Sequence, residues 1–199
     1  MGAGPTVAVV GRPESRLRAG AVVLRAGTGH DAEALHLIRG ERFVAEWWGP
    51  PEPVDAIAAE LAGESDDVVY VVEVAGAVAG AVQYTEELEP QYRHAGIDLY
   101  LGQDHAGRGL GSAVVALVAA HLIDVRGHHR LTIDPAAANA RAIACYRRVG
   151  FRPVGLLRCY ERGADGVWHD GLLMDLLAAE LVRDHVFTGR RGTSEELPE

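Results

Sequence analysis

The segment from His105 to Val125 restricts the possible folds of this chain more than any other. Gly107, Gly109 and Gly111 crowd a turn that follows a predicted strand and opens a long apolar helix over 112–125. Glycine allows positive φ and close backbone approach. The first N–H groups of a helix have no intrahelical partner, so such a turn suits an anion, and a pyrophosphate fits it. No Gly-Lys-Ser/Thr follows, which excludes a Walker loop. The glycine spacing also differs from a dinucleotide fingerprint, even with Asp134 available downstream as an acid. Alone, the turn is equally an ordinary tight connection.

Its surroundings narrow the choice. Strands are predicted over 21–25, 68–74, 78–84, 97–101, 130–133, 151–160 and 168–176, from β-branched runs and turn signals. Helices are predicted over 31–42, 54–62 and 139–149, the last closed by Gly150. Trp47, Trp48, Gly49, Pro50 and Pro51 interrupt the first helical region, and Glu86 to Gln91 reads as an acidic loop. The order predicts an α/β (α+β) fold: a mixed sheet of about six to seven strands with helices on both faces. The domain is expected over 21–186, between a loose extension over 1–20 and a disordered tail over 187–199.

Charge selects among ligands. The net charge is -9, and every basic residue among the 19 is Arg. An acidic chain lacks the basic face that nucleic acid needs, but it favours approach of a cation. Two cysteines are too few for a disulfide scaffold or a Cys-based zinc site. The histidines show no metal spacing, so no metal is expected. No run of ~18 apolar residues is present and the N-terminal apolar run is short, which predicts a cytoplasmic protein without a membrane partner.

A second segment makes the glycine turn specific. Thr132-Ile133-Asp134-Pro135 is followed by Asn139-Ala140-Arg141-Ala142-Ile143, then Cys145-Tyr146, then Gly150-Phe151. With the upstream turn, this resembles the coenzyme A half-site of the GNAT superfamily of N-acetyltransferases. The resemblance spans the region from Ala21 to Glu180 and implies acetyl-CoA as co-substrate. By that resemblance, the backbone of Leu99, Tyr100 and Leu101 would pair with the pantetheine arm. Ala106, Gly107, Arg108, Gly109, Leu110 and Gly111 would hold the pyrophosphate, with Ser112 beside it. Asn139 would contact the coenzyme, and Tyr146 would stand near the sulfur as general acid. Cys145 reads as a packing residue. One position departs from the pattern: Ala106 stands where the superfamily usually has Gln or Arg, so a side-chain contact to phosphate is lost.

Within the superfamily, Glu46-Trp47-Trp48-Gly49, Gly96-Ile97-Asp98 and Thr132 to Pro135 resemble aminoglycoside 6'-N-acetyltransferases. The implied acceptor is a cationic amine. It arrives protonated, and a carboxylate can anchor it and take the proton. Asp98 is the first candidate for that task and Asp134 the second. Trp47 and Trp48 would wall the acceptor, while Glu86, Glu87 and Glu89 would attract it. Each has a plainer role available: core packing for the tryptophans, a solvated loop for the glutamates, a surface position for the aspartates. Three alternatives stay open. Acyltransferases acting on hydroxylysine in siderophore synthesis share the Asp-Pro and Asn-x-Arg-Ala-Ile segments, a peptide amine is another acceptor, and a non-catalytic coenzyme-binding module is the third. Either a monomer or a homodimer fits.

Overall fold

Strand alternation builds two cores. In β3 (Val68–Val74), Val68, Tyr70 and Val72 face one side and Val69 and Val71 the other, and all five are buried. A strand covered on both faces reads as a continuous apolar run, which is why this one is legible in the sequence. The computed structural model describes residues 13, 15–163 and 165–183. The expected tail over 187–199, and residues 1–12 and 14 of the expected extension over 1–20, lie outside the described residues.

Eight strands form one sheet in the order β1 (Leu17–Ala19), β2 (Val22–Ala26), β3, β4 (Ala77–Glu87), β5 (His94–Leu101), β6 (Arg130–Ile133), β8 (Trp168–Leu177), β7 (Arg152–Arg162). Among the described strands, only β5 and β6 are parallel neighbours. The sheet is thus slightly larger than expected. The addition is β1, placed by sequence in the loose extension; three residues carry no period. Its register with β2 (Leu17 opposite Leu24) and the packing of Leu17 and Ala19 on the core make it a strand.

Helices α1 (Ala32–Gly40), α2 (Arg42–Trp48) and α3 (Val54–Leu61) cover one face, with Leu35, Val44, Ile57 and Leu61 against Val69, Val71, Ala81 and Tyr100. The expected helix over 31–42 is broken at Glu41, whose backbone is extended at ψ 129°. A distant contact explains the break: the Glu41 carboxylate accepts the Gln103 N–H at 2.7 Å. Helices α4 (Leu110–Asp124) and α5 (Ala140–Val149) cover the other face. Most of α4 is buried, and a helix apolar all round belongs in the interior. No described helix is long and apolar enough to cross a membrane.

The crossover through α4 joins the two parallel strands. They pair only at Ala95 with Leu131 and Gly96 with Thr132. Beyond that point β5 remains paired to β4 through Leu101, while its other edge has no strand partner. The sheet therefore splits, and the split is the floor of the principal cleft.

Candidate active site

The cleft has a volume of about 350 Å³ and runs from the N-terminus of α4, over the split strands, to the ends of β6 and β7. Ala106, Gly107, Gly109, Gly111 and Ser112 line the first end; Arg108 and Leu110 do not line it. Gly107 and Gly109 have φ of 72° and 78°, and Gly109 is the residue that caps α4. A Cβ at either would meet no atom within 4 Å. These glycines serve backbone conformation and leave an open backbone surface, as an anion cradle requires. Beside them, the buried His105 Nδ1 has no hydrogen-bond partner. A phosphorylated ligand fits these groups.

Ser112 lines the cleft beside the glycine turn, with its hydroxyl already engaged. It is buried, and its hydroxyl turns inward: it donates to the Cys145 carbonyl at 3.3 Å and accepts from Arg148 Nε at 3.3 Å. Arg148 itself lines the cleft. It brings a cation to the end where Ala106 has none. Sequence reasoning missed it because Arg147-Arg148 reads as ordinary positive charge in the last turn of a helix. Cys145 packs against Ser112, and burial pushes its thiol up, away from a reactive thiolate.

On the cleft floor, Leu99 and Leu101 pack into the α4–α5 core, while Tyr100 faces α1–α3. The Tyr100 ring meets Trp48 edge-on at 5.1 Å. The Arg39 guanidinium lies 4.9 Å from the Trp48 ring and 5.3 Å from Tyr100. It donates to the Trp48 carbonyl and to Glu52. Arg39 thus fixes Trp48, a contact that no local pattern announces. Trp47 and Trp48 both line the cleft.

From α5 come Asn139 and Tyr146. The Asn139 side chain accepts the Ala142 N–H at 3.0 Å and caps the helix. Its oxygen is committed to that cap, leaving the amide N–H groups for a ligand. Tyr146 is buried beside Phe151 and still lines the cleft. Burial first, with the nearby Cys145 and the negative charges of Asp98 and Asp134 adding to it, holds its hydroxyl well above the usual phenol range. It is a protonated donor at any working pH.

At the far end the structure brings together Asp98, Asp134 and Tyr160. Asp98 opens to cleft water but has protein around most of its carboxylate. That desolvation, followed by the like charge of Asp134, raises it from 3.8 to about 6. Asp134 accepts the Tyr160 O–H at 2.5 Å, and this bond is the main reason the Tyr160 hydroxyl is pushed up to about 12. Tyr160 was not anticipated, since β7 lacks clean alternation around it. A second hollow continues past Asp98, and its lining includes Thr85, Glu86, Glu87, His94, Thr132, Asp134 and Tyr160.

Glu86 is corrected. The expected acidic loop is strand through Glu87, and alternation turns Glu86 away from the Asp98 face. Its oxygens accept Arg126 at 2.7 Å and meet His128 Nε2 at 2.6 Å. Its side chain is only 3% exposed and is committed to these two partners, so although Glu86 borders the second hollow, little of its carboxylate is open to an acceptor. Burial raises its carboxyl, but Arg126 and His128 outweigh that and hold it below 4.5. Its contribution to stability is therefore present above that value and lost as pH falls through the lowered one. Glu86→Ala should lower the unfolding free energy in urea by about 2 kcal/mol, less than a fully buried pair because Arg126 keeps partial solvent contact. Glu89, in the turn after β4, is exposed.

A phosphorylated acyl carrier needs the glycine end, and a protonated amine needs the carboxylate end; an enzyme built to join the two is an N-acetyltransferase. The acetyltransferase (GNAT) family model matches residues 33–151, and the chain belongs to that family. Aminoglycoside N(6')-acetyltransferase type 1 of Klebsiella pneumoniae is 29% identical over 153 residues, covering 67% of this chain and 75% of that one. Spermidine N(1)-acetyltransferase of Escherichia coli (strain K12) is 25% identical over 176 residues, covering 85% and 92%. Among solved structures, Mycobacterium smegmatis RimJ in complex with CoA-disulfide matches with a TM-score of 0.74 at 25% identity, over 86% of this chain and 90% of that one.

Proposed function

We propose that this N-acetyltransferase moves an acetyl group from acetyl-CoA to a primary amine of a cationic small molecule in the cytoplasm. The leading acceptor is the 6'-amine of an aminoglycoside, with antibiotic resistance as the consequence. The observation that carries this reading is the pair of carboxylates, Asp98 and Asp134, in the same cleft as the glycine cradle. The net charge of -9 adds long-range attraction for a polycation. The aminoglycoside relative supports the acceptor class. A linear polyamine is the second reading, favoured by the spermidine relative.

Acetyl-CoA supplies an activated thioester. Backbone N–H groups from Ala106 to Gly111 hold its phosphates, and Arg148 adds positive charge beside them. The unpaired edge of Leu99 to Leu101 aligns the arm and offers an N–H to the oxyanion. Asp98 takes a proton from the bound ammonium. The nitrogen lone pair then forms the N–C bond, the C–S bond breaks, and the second proton released by the nitrogen goes to the departing thiolate, so that a neutral amide and a free thiol leave. Tyr146 donates its O–H to the departing sulfur. Trp47 and Trp48 wall the acceptor, and Glu87 lies in the hollow beyond it.

Thiol release from acetyl-CoA, measured with kanamycin- and gentamicin-type aminoglycosides, spermidine, N-hydroxylysine and short peptides, tests this. Turnover with aminoglycosides, and acetylation at the 6' position by mass analysis, is the expected result. Turnover with spermidine alone selects the polyamine. Turnover with hydroxylysine or peptides alone overturns the cationic-acceptor reading.

A further inference from the structure

Tyr160 is half exposed, at 51%, yet three separate features fix it. β7 loses register with β8 between Leu157 and Glu161. At this bulge Cys159 takes a φ of 50°, sparsely populated for a residue with a Cβ. The Cys159 N–H donates to Asp170 Oδ1 at 2.8 Å, which pins the bulge. Across the strand pair, a Cβ at Gly171 would come within 2.9 Å of the Tyr160 ring, so glycine makes room for it. The hydroxyl then reaches Asp134 Oδ2 at 2.5 Å. Bulges re-aim side chains, and strained backbone persists where the surroundings over-determine it. Little apolar burial is gained by a ring left this open. What the arrangement does secure is the Asp134 carboxylate, at the junction of the cleft and the second hollow, both of which Tyr160 lines.

We infer that Tyr160 is a positioning residue for the acceptor. Its hydroxyl holds one oxygen of Asp134, so that the other oxygen faces the acceptor as a fixed anchor beside Asp98. The inference rests on the cationic-acceptor reading above. Tyr160 touches no reacting atom and acts through Asp134. Its loss therefore weakens acceptor binding and leaves chemistry and coenzyme binding in place.

The test is a double-mutant cycle of Tyr160→Phe and Asp134→Asn, with kcat and KM measured for the acceptor and for acetyl-CoA, and acceptor binding to the coenzyme-loaded protein followed by calorimetry. The probes are a kanamycin-type aminoglycoside and spermidine. Tyr160→Phe should raise the acceptor KM and Kd about tenfold, the loss of one hydrogen bond to a charged group, with kcat and the acetyl-CoA KM little changed. In the Asp134→Asn background the same change should have almost no further effect. A Tyr160→Phe enzyme with an unchanged acceptor KM overturns the role of Tyr160 while the functional reading stands. So does a tenfold loss that persists in the Asp134→Asn background. A parent enzyme that neither binds nor acetylates either probe overturns the acceptor reading, and this role with it. An unchanged thermal midpoint in Tyr160→Phe separates positioning from a folding defect.

Discussion

Asp98→Asn should lower kcat/KM for the acceptor on the order of 10²-fold, the low end for loss of a positioned base. Asparagine keeps the shape and the hydrogen-bonding reach but cannot take the ammonium proton. The parent enzyme should also show an acid limb. Asp98 is raised to about 6, so its basic form is lost below that pH, and kcat/KM should rise through about pH 6 before levelling. In Asp98→Asn the limb should vanish along with most of the rate. Stability should move the other way. The native state binds a proton that the unfolded chain releases between 3.8 and about 6. The contribution of this group to stability therefore falls as pH rises through that window. Above it, Asp98→Asn should melt higher than the parent. A pH series of kcat/KM with melting curves at pH 5 and pH 8 checks both halves. A variant with full activity and an intact acid limb removes Asp98 from the mechanism.

Tyr146→Phe should lower kcat by about 10- to 100-fold, the range for a hydrogen bond to a developing anion. Acetyl-CoA affinity should stay nearly unchanged. The hydroxyl is held far above an ordinary phenol, whereas a thiol titrates near 8.5. Complete proton transfer from this tyrosine to a thiolate would be uphill. Its contribution is therefore donation to the departing sulfur, which explains an expected effect smaller than that of losing a base. The ring packs beside Phe151, and Phe keeps that contact, so the fold should survive. Stopped-flow turnover and coenzyme titration separate the two parameters. Unchanged kcat would leave Tyr146 as a core aromatic only.

The coenzyme end of the site was legible in the sequence because its chemistry is local. Gly107 and Gly109 lie within one turn and open one helix, so their spacing made an anion cradle one of two readings, and the Asp-Pro and Asn-x-Arg-Ala-Ile segment downstream made it specific. Asn139, with Ala142 three residues on, has the spacing of a helix cap. The acceptor end was only partly legible. Asp98 was singled out by the resemblance of Gly96-Ile97-Asp98, but its raised proton affinity depends first on burial and then on Asp134, which is 36 residues away and arrives by the parallel pairing of β5 and β6. Glu86 and Glu87 are adjacent in sequence and look alike there. Strand alternation sends one to Arg126 and His128 and leaves the other exposed beside the second hollow.

By itself, then, the sequence determined the strands with dense β-branched runs, the α4 and α5 helices and the glycine turn. These follow from period, propensity and short spacing, which act over a few residues; the two aspartates were singled out only by the resemblance of their segments to a known family. Tertiary structure alone decided that β1 joins the sheet, that Glu41 breaks a helix, that Arg39 braces Trp48 and that Tyr160 reaches Asp134. Glu41 and Tyr160 depend on partners distant in the chain, and the energy of such a contact exists only after the fold has brought its two ends together. β1 and Arg39 meet nearby residues, but their packing needs the rest of the sheet and the α1–α3 layer.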